Sequence, residues 1–144
     1  MDERTRVRPA DPWRSAAVSL AHVCALLGAL ALIAVMATLV FLLAYDASTG
    51  GDARRNPVWI AGAALILLAQ VAVLVTGRRG AVLTARERPA GPVLVVVAGA
   101  LVAVQGAWLS VHGAGALGAL AALCGITTVV AGAVVTQARR TSRP

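Results

Sequence analysis

The chain predicts an all-α membrane protein: a four-transmembrane-helix bundle with both termini in the cytoplasm and spans three and four forming a tight hairpin. Three observations carry this expectation. Of 144 residues, 59% are hydrophobic and only 13% charged, too few polar groups to cover a water-soluble surface. The charges are segregated, with no Asp, Glu, Lys or Arg anywhere in 15–45, 57–77 or 90–138. The arginines, finally, crowd every second connection and are sparse in the others.

The elements follow in order. A basic tail over 1–15 carries Arg4, Arg6, Arg8 and Arg14. Span one covers about 16–45. Its apolar run is about twice the ~7–15 residues of a secretory signal, and Val23 ahead of Cys24 stands where a lipoprotein site needs a small residue, so it is read as an uncleaved anchor. A polar loop over 46–57 ends at Asn56-Pro57, and a proline suits the first turn of span two, about 58–76. The next connection holds Arg78, Arg79, Arg86 and Arg88 and closes at Pro89-Ala90-Gly91-Pro92, a helix stop followed by a helix start. Span three covers about 92–111. His112-Gly113-Ala114-Gly115 then turns directly into span four, about 114–137, which makes the transmembrane domain 16–137. A basic tail over 138–144 carries Arg139, Arg140 and Arg143. Each span approaches or exceeds the ~20 residues that cross ~30 Å of hydrocarbon as helix. Barrel strands would alternate polar and apolar residues, and these runs do not.

Orientation rests on the arginines. Eleven lie on the side of the two termini and only Arg54 and Arg55 on the other, which by the positive-inside rule puts both ends in the cytoplasm. Trp13, Tyr45, Trp59 and Trp108 fall near span ends, where an amphipathic ring suits the headgroup layer. The absence of Lys, with abundant Ala, Gly, Val and Arg, points to a high-GC bacterium, and hence to its plasma membrane. Nucleic acid is not expected as a partner: the net charge of +7 sits at membrane-flanking positions with no interleaved aromatics for stacking. The lipid bilayer is the expected surrounding.

The strongest internal pattern is glycine at seven-residue intervals: Gly99 and Gly106 in span three, and Gly118, Gly125 and Gly132 in span four. A heptad interval returns each to nearly the same face of a left-handed helix pair, and a missing side chain lets backbones approach. These stripes serve either to pack spans three and four together or against a neighbouring span, or as a face for self-association; the tight hairpin favours the first. Three polar side chains fall inside the spans. From the span limits, His22 and Gln70 each lie ~9 Å from the cytoplasmic face and Gln105 ~20 Å from it. A His22–Gln70 hydrogen bond is therefore possible, and Gln105 stands at another depth. Such bonds fix helix register, or else the residues line a pathway.

Cys24 and Cys124 occupy different spans without a C-x-x-C, so no zinc site or thioredoxin-like pair is expected. Depths ~8 Å apart argue against a disulfide between them. No carboxylate, nucleophile–base set or phosphate loop occurs within the spans. The expected function is thus non-catalytic, without metal or cofactor: helix packing, as a homo-oligomer or as an accessory subunit of a larger membrane complex. A transporter or channel subunit for a small uncharged solute is the alternative, with His22, Gln70 and Gln105 as its pathway.

Overall fold

The computed structural model describes residues 12–50 and 56–141. Arg4, Arg6, Arg8, Arg54, Arg55 and Arg143, which contribute to the expected orientation, lie outside these residues, as do most of the first tail and the centre of the 46–57 loop. The described residues form four helices: α1 Pro12–Thr49, α2 Pro57–Ala85, α3 Ala90–Leu109 and α4 Gly115–Thr141. All four are long and apolar enough to cross a membrane, as a multi-pass membrane protein requires.

The helices outrun the apolar segments that announce them. Hydropathy marks the stretch suited to hydrocarbon, whereas a helix ends where its terminal backbone groups find other partners. α1 starts at Pro12, a residue with no N–H to leave unsatisfied, and runs four residues past Tyr45. α2 starts under a cap: Asn56 Oδ1 accepts from the N–H groups of Val58 at 3.0 Å and Trp59 at 3.4 Å. It then continues nine residues beyond Thr76, through Arg78 and Arg79, to Ala85.

What stops α2 is a Schellman-type closure. The N–H of Arg88 donates to Leu83 O at 2.8 Å and that of Glu87 to Thr84 O at 3.1 Å. Glu87 takes the left-handed conformation (φ 58°) that this closure needs. Two arginines from other helices hold the turn. Arg14 of α1 pairs with the Glu87 carboxylate and donates to Ala85 O, and Arg139 of α4 donates to Glu87 O at 3.1 Å and Arg88 O at 3.0 Å. At the opposite end, a wide π-type turn over Ser110–Ala114 joins α3 to α4. It reverses at His112 and at Gly113, whose φ of 116° favours glycine.

The core is built of small side chains in two layers. Nearer the arginine-rich end, Ala17 and Ala21 of α1 meet Ala81 of α2, Val95 of α3, and Ala131 and Val135 of α4. The next layer joins Cys24, Val73, Ala98 and Val102, with Leu27, Leu101 and Cys124 packed against it. Large apolar side chains such as Leu30, Phe41, Val104 and Leu117 point outward. That inversion suits lipid: burying a leucine gains nothing where the solvent is itself hydrocarbon, so close backbone packing decides what goes inside.

Beyond the second layer the bundle is uneven. Between Gly28 and Asp46 no residue of α1 is buried, and none of α2 before Gln70. From Val73, α2 runs about 24 Å to Pro57, whereas α3 runs only about 10 Å from Val102 to Leu109. The α1–α2 pair therefore overhangs α3–α4 at the end away from the arginines.

Candidate functional site

The five glycines singled out by spacing all lie between α3 and α4. A Cβ on Gly99 would stand 2.7 Å from Gly125 O, and one on Gly125 would stand 2.5 Å from Gly99 O. Gly106 and Gly118 are paired the same way, each 2.8 Å from the other's carbonyl by this measure. Gly132 faces Val96 Cγ2 at 2.8 Å and Pro92 O at 3.1 Å. Contacts this close leave no room for a side chain, so the backbones touch along the whole seam. The stripes are thereby occupied within the chain rather than presented to a second one.

Four further glycines do similar work that their irregular spacing did not announce. Gly28 meets Val73 across α1–α2, Gly77 meets Ala21 and Ala25, and Gly80 and Gly91 bring α2 against α3. Gly77 and Gly80 fall beyond the expected end of span two, in the stretch of α2 that continues past Thr76. Gly62 differs: a Cβ there would meet nothing within 4 Å. It borders an open cleft of about 460 Å³ in the overhanging α1–α2 seam, walled by Ala34, Thr38, Leu42, Trp59, Ala63 and Ile66.

The polar residues are arranged differently from their expected depths. His22 is exposed and its Nδ1 lies 2.8 Å from Val18 O of its own helix. Ala21 occupies the face toward Gly77, and the next residue points about 100° away, so His22 does not meet Gln70. Gln70 is 8% exposed and its Oε1 is buried without a hydrogen-bond partner. Because α2 continues to Ala85, Gln70 lies near the middle of its helix and not close to the end. Gln70 is one turn from Val73 and half-buried Gln105 one turn from Val102, on the same side of the shared layer, so these two glutamines lie at similar depth. The expected grouping of His22 with Gln70, apart from Gln105, is corrected accordingly.

The span hydroxyls mostly turn back on their own helices. Thr38 donates to Ala34 O at 2.9 Å, Thr76 to Ala72 O at 2.6 Å, Thr127 to Leu123 O at 3.0 Å and Thr136 to Gly132 O at 2.8 Å. Thr128 donates to Cys124 O at 2.7 Å and also meets a group from another helix: Cys24 Sγ lies 3.3 Å from its Oγ1. His112 stacks on Trp108 with ring centroids 4.3 Å apart and bonds Trp108 O at 2.8 Å, which places both at the α3–α4 turn. Among the described residues, no three His, Cys, Asp or Glu converge as metal ligands would. Comparison of the chain with family models, curated proteins and solved structures gives no match.

Proposed function

We propose that the chain is a small, non-catalytic membrane protein that acts through helix packing, as a self-associating unit or an accessory subunit of a larger membrane complex. In this reading it lies in the plasma membrane of a high-GC bacterium, both termini cytoplasmic, with neither cofactor nor nucleic acid. One observation carries it. The inner seams are closed by glycine-mediated contacts, while the overhanging α1–α2 cleft, with Gly62 facing open space, is left unfilled. Small residues on an otherwise bulky surface let a further helix approach closely. Photo-crosslinking side chains placed at Gly62 and Ala63, in native membranes, should capture a discrete partner, another copy or a different protein. The same group at Leu117, on the exposed side of α4, should not. A chain that remains uncrosslinked at both cleft positions, and monomeric in mild detergent, refutes the proposal.

The second reading is a transporter or channel subunit for a small uncharged solute. It is favoured by Gln70, whose buried Oε1 lacks a partner, with Gln105 at similar depth. Polar side chains held in hydrocarbon are candidates for a pathway. Replacing both by Leu should then abolish flux in reconstituted vesicles while insertion is preserved; unchanged flux removes this reading.

A further inference from the structure

At the arginine-rich end, α1 and α2 touch at Gly77, where a Cβ would stand 3.0 Å from Ala21 O and 3.1 Å from Ala25 N. The two helices run antiparallel, since Gly28 meets Val73 while Gly77 meets Ala21. In an antiparallel pair, the residue after each contact turns about 100° to the same side of the seam. His22 follows Ala21 and Arg78 follows Gly77, so both flank one mouth of the α1–α2 seam at one level. The bundle interior lies on the other side, where Cys24 faces α4 and Gly80 faces α3. His22 and Arg78 are accordingly both exposed. Helix axes ~8–10 Å apart set the two side chains on either side of a space about one lipid headgroup wide.

The outer strips of both helices change character at this level. Toward the middle of the bundle, Leu26 and Leu30 on α1 and Val71 and Val75 on α2 are exposed and apolar. Toward the arginine-rich end come His22 and Ser19 on α1 and Arg78 and Arg79 on α2, all exposed. Such a switch marks the passage from hydrocarbon to headgroups. Arg78 has no carboxylate partner among the described residues. The state of His22 follows from its one bond: Val18 O, 2.8 Å from Nδ1, can only accept, so Nδ1 carries the proton. Nε2 of the neutral ring is left as an open acceptor.

We propose that His22 and Arg78 form a headgroup site for an anionic phospholipid that carries a hydroxyl, of which phosphatidylglycerol is the simplest. The Arg78 guanidinium donates to the phosphodiester oxygens. The headgroup hydroxyl donates to His22 Nε2, and the acyl chains lie along Leu26, Leu30, Val71 and Val75. A headgroup whose donor is an ammonium is disfavoured, because its positive charge would sit beside the guanidinium. The site thus reads charge on one helix and hydrogen bonding on the other.

The test titrates the full chain, in a neutral detergent at pH 8, with dioleoyl phosphatidylglycerol and follows the first lipid adduct by native mass spectrometry. Arg78→Gln should weaken that adduct about tenfold. Arg140→Gln removes the same charge from exposed α4, which does not touch α2, and should leave the adduct unchanged. Dioleoyl phosphatidylmethanol, the same phosphodiester without a hydroxyl, separates the two contacts. His22→Leu should weaken phosphatidylglycerol several-fold and leave phosphatidylmethanol unaffected, whereas Arg78→Gln should weaken both. Equal losses from Arg78→Gln and Arg140→Gln would reduce the site to diffuse charge and overturn the proposal. So would phosphatidylcholine held as well as phosphatidylglycerol, displacement of the lipid by equimolar inorganic phosphate, or a His22→Leu chain that treats the two anionic lipids alike.

Discussion

Replacing Gly125 with alanine probes the α3–α4 seam directly. The new methyl carbon would lie 2.5 Å from Gly99 O and 2.7 Å from Ala103 Cα, where ordinary contact begins at 3.4 Å. Both obstacles are backbone, so no side chain can rotate away, and the helices must part locally by about 1 Å. A gap of 0.5–1 Å forfeits roughly a quarter to a half of each dispersion contact it opens. Overpacking of this kind costs ~1–3 kcal/mol, and alanine's better helix propensity returns up to ~1 kcal/mol. The expected net loss is about 1–2 kcal/mol. Gly62→Ala supplies the reference, because its methyl group meets open space and keeps only the propensity gain. Unfolding by sodium dodecyl sulfate in mixed micelles, followed by tryptophan fluorescence, should separate the two variants by about 2 kcal/mol. Gly132→Ala should fall between them, since its nearest obstacle is the tip of Val96. If Gly125→Ala unfolds no more readily than Gly62→Ala, the backbones are not in contact and the seam is misjudged.

Other expectations follow from individual side chains. Gln70→Met removes an unpartnered buried acceptor while keeping the side-chain length, so stability in the same assay should hold or rise by about 1 kcal/mol; a clear loss would reveal a bond that Gln70 makes in the membrane. His22→Leu should change neither stability nor oligomeric state, because the ring faces outward and bonds only its own helix; a shift in either would place His22 in an interface. Glu87→Gly exchanges left-handed strain of ~1–2 kcal/mol for an exposed ion pair with Arg14 worth ~0–1 kcal/mol. Its unfolding midpoint should stay level or rise, and a fall would show the ion pair to outweigh the strain. Arg139→Ala removes two donors from the carbonyls of the α2–α3 turn, and amide exchange at Arg88 and nearby residues should accelerate several-fold; unchanged exchange would mean the turn holds itself.

How much of this could be read from sequence depends on what physics each feature obeys. The helices were legible because hydrocarbon admits little else: an uncharged run of ~20 residues must satisfy its own backbone. Their ends were not. α2 passes straight through Arg78 and Arg79, and it stops where Arg14 and Arg139, remote in sequence, hold its closing turn. That hidden extension carried the depth of Gln70 with it. The glycines of α3 and α4 were visible because they repeat every seven residues, as a left-handed pair demands. Gly28, Gly77 and Gly80 pack against Val73, Ala21 and Val95 without any shared period, so only the assembled helices identify their partners. Relative depth depends on how helices slide along one another, and hydropathy limits blur that by several residues.

The overhang of α1–α2 also has a consequence for the surrounding lipid. The uncharged stretch of α1, 15–45, would measure about 46 Å as a straight helix, against ~30 Å of hydrocarbon. α3 and α4 reach less far beside it, so the two halves of the molecule present apolar flanks of unequal height. A flat membrane cannot match both. Either α1 leans strongly, or acyl chains stretch on one flank and shorten on the other, each at a fraction of a kcal/mol per ångström. A neighbouring protein with the complementary step would let those chains relax, so association would be driven partly by the bilayer's own elasticity.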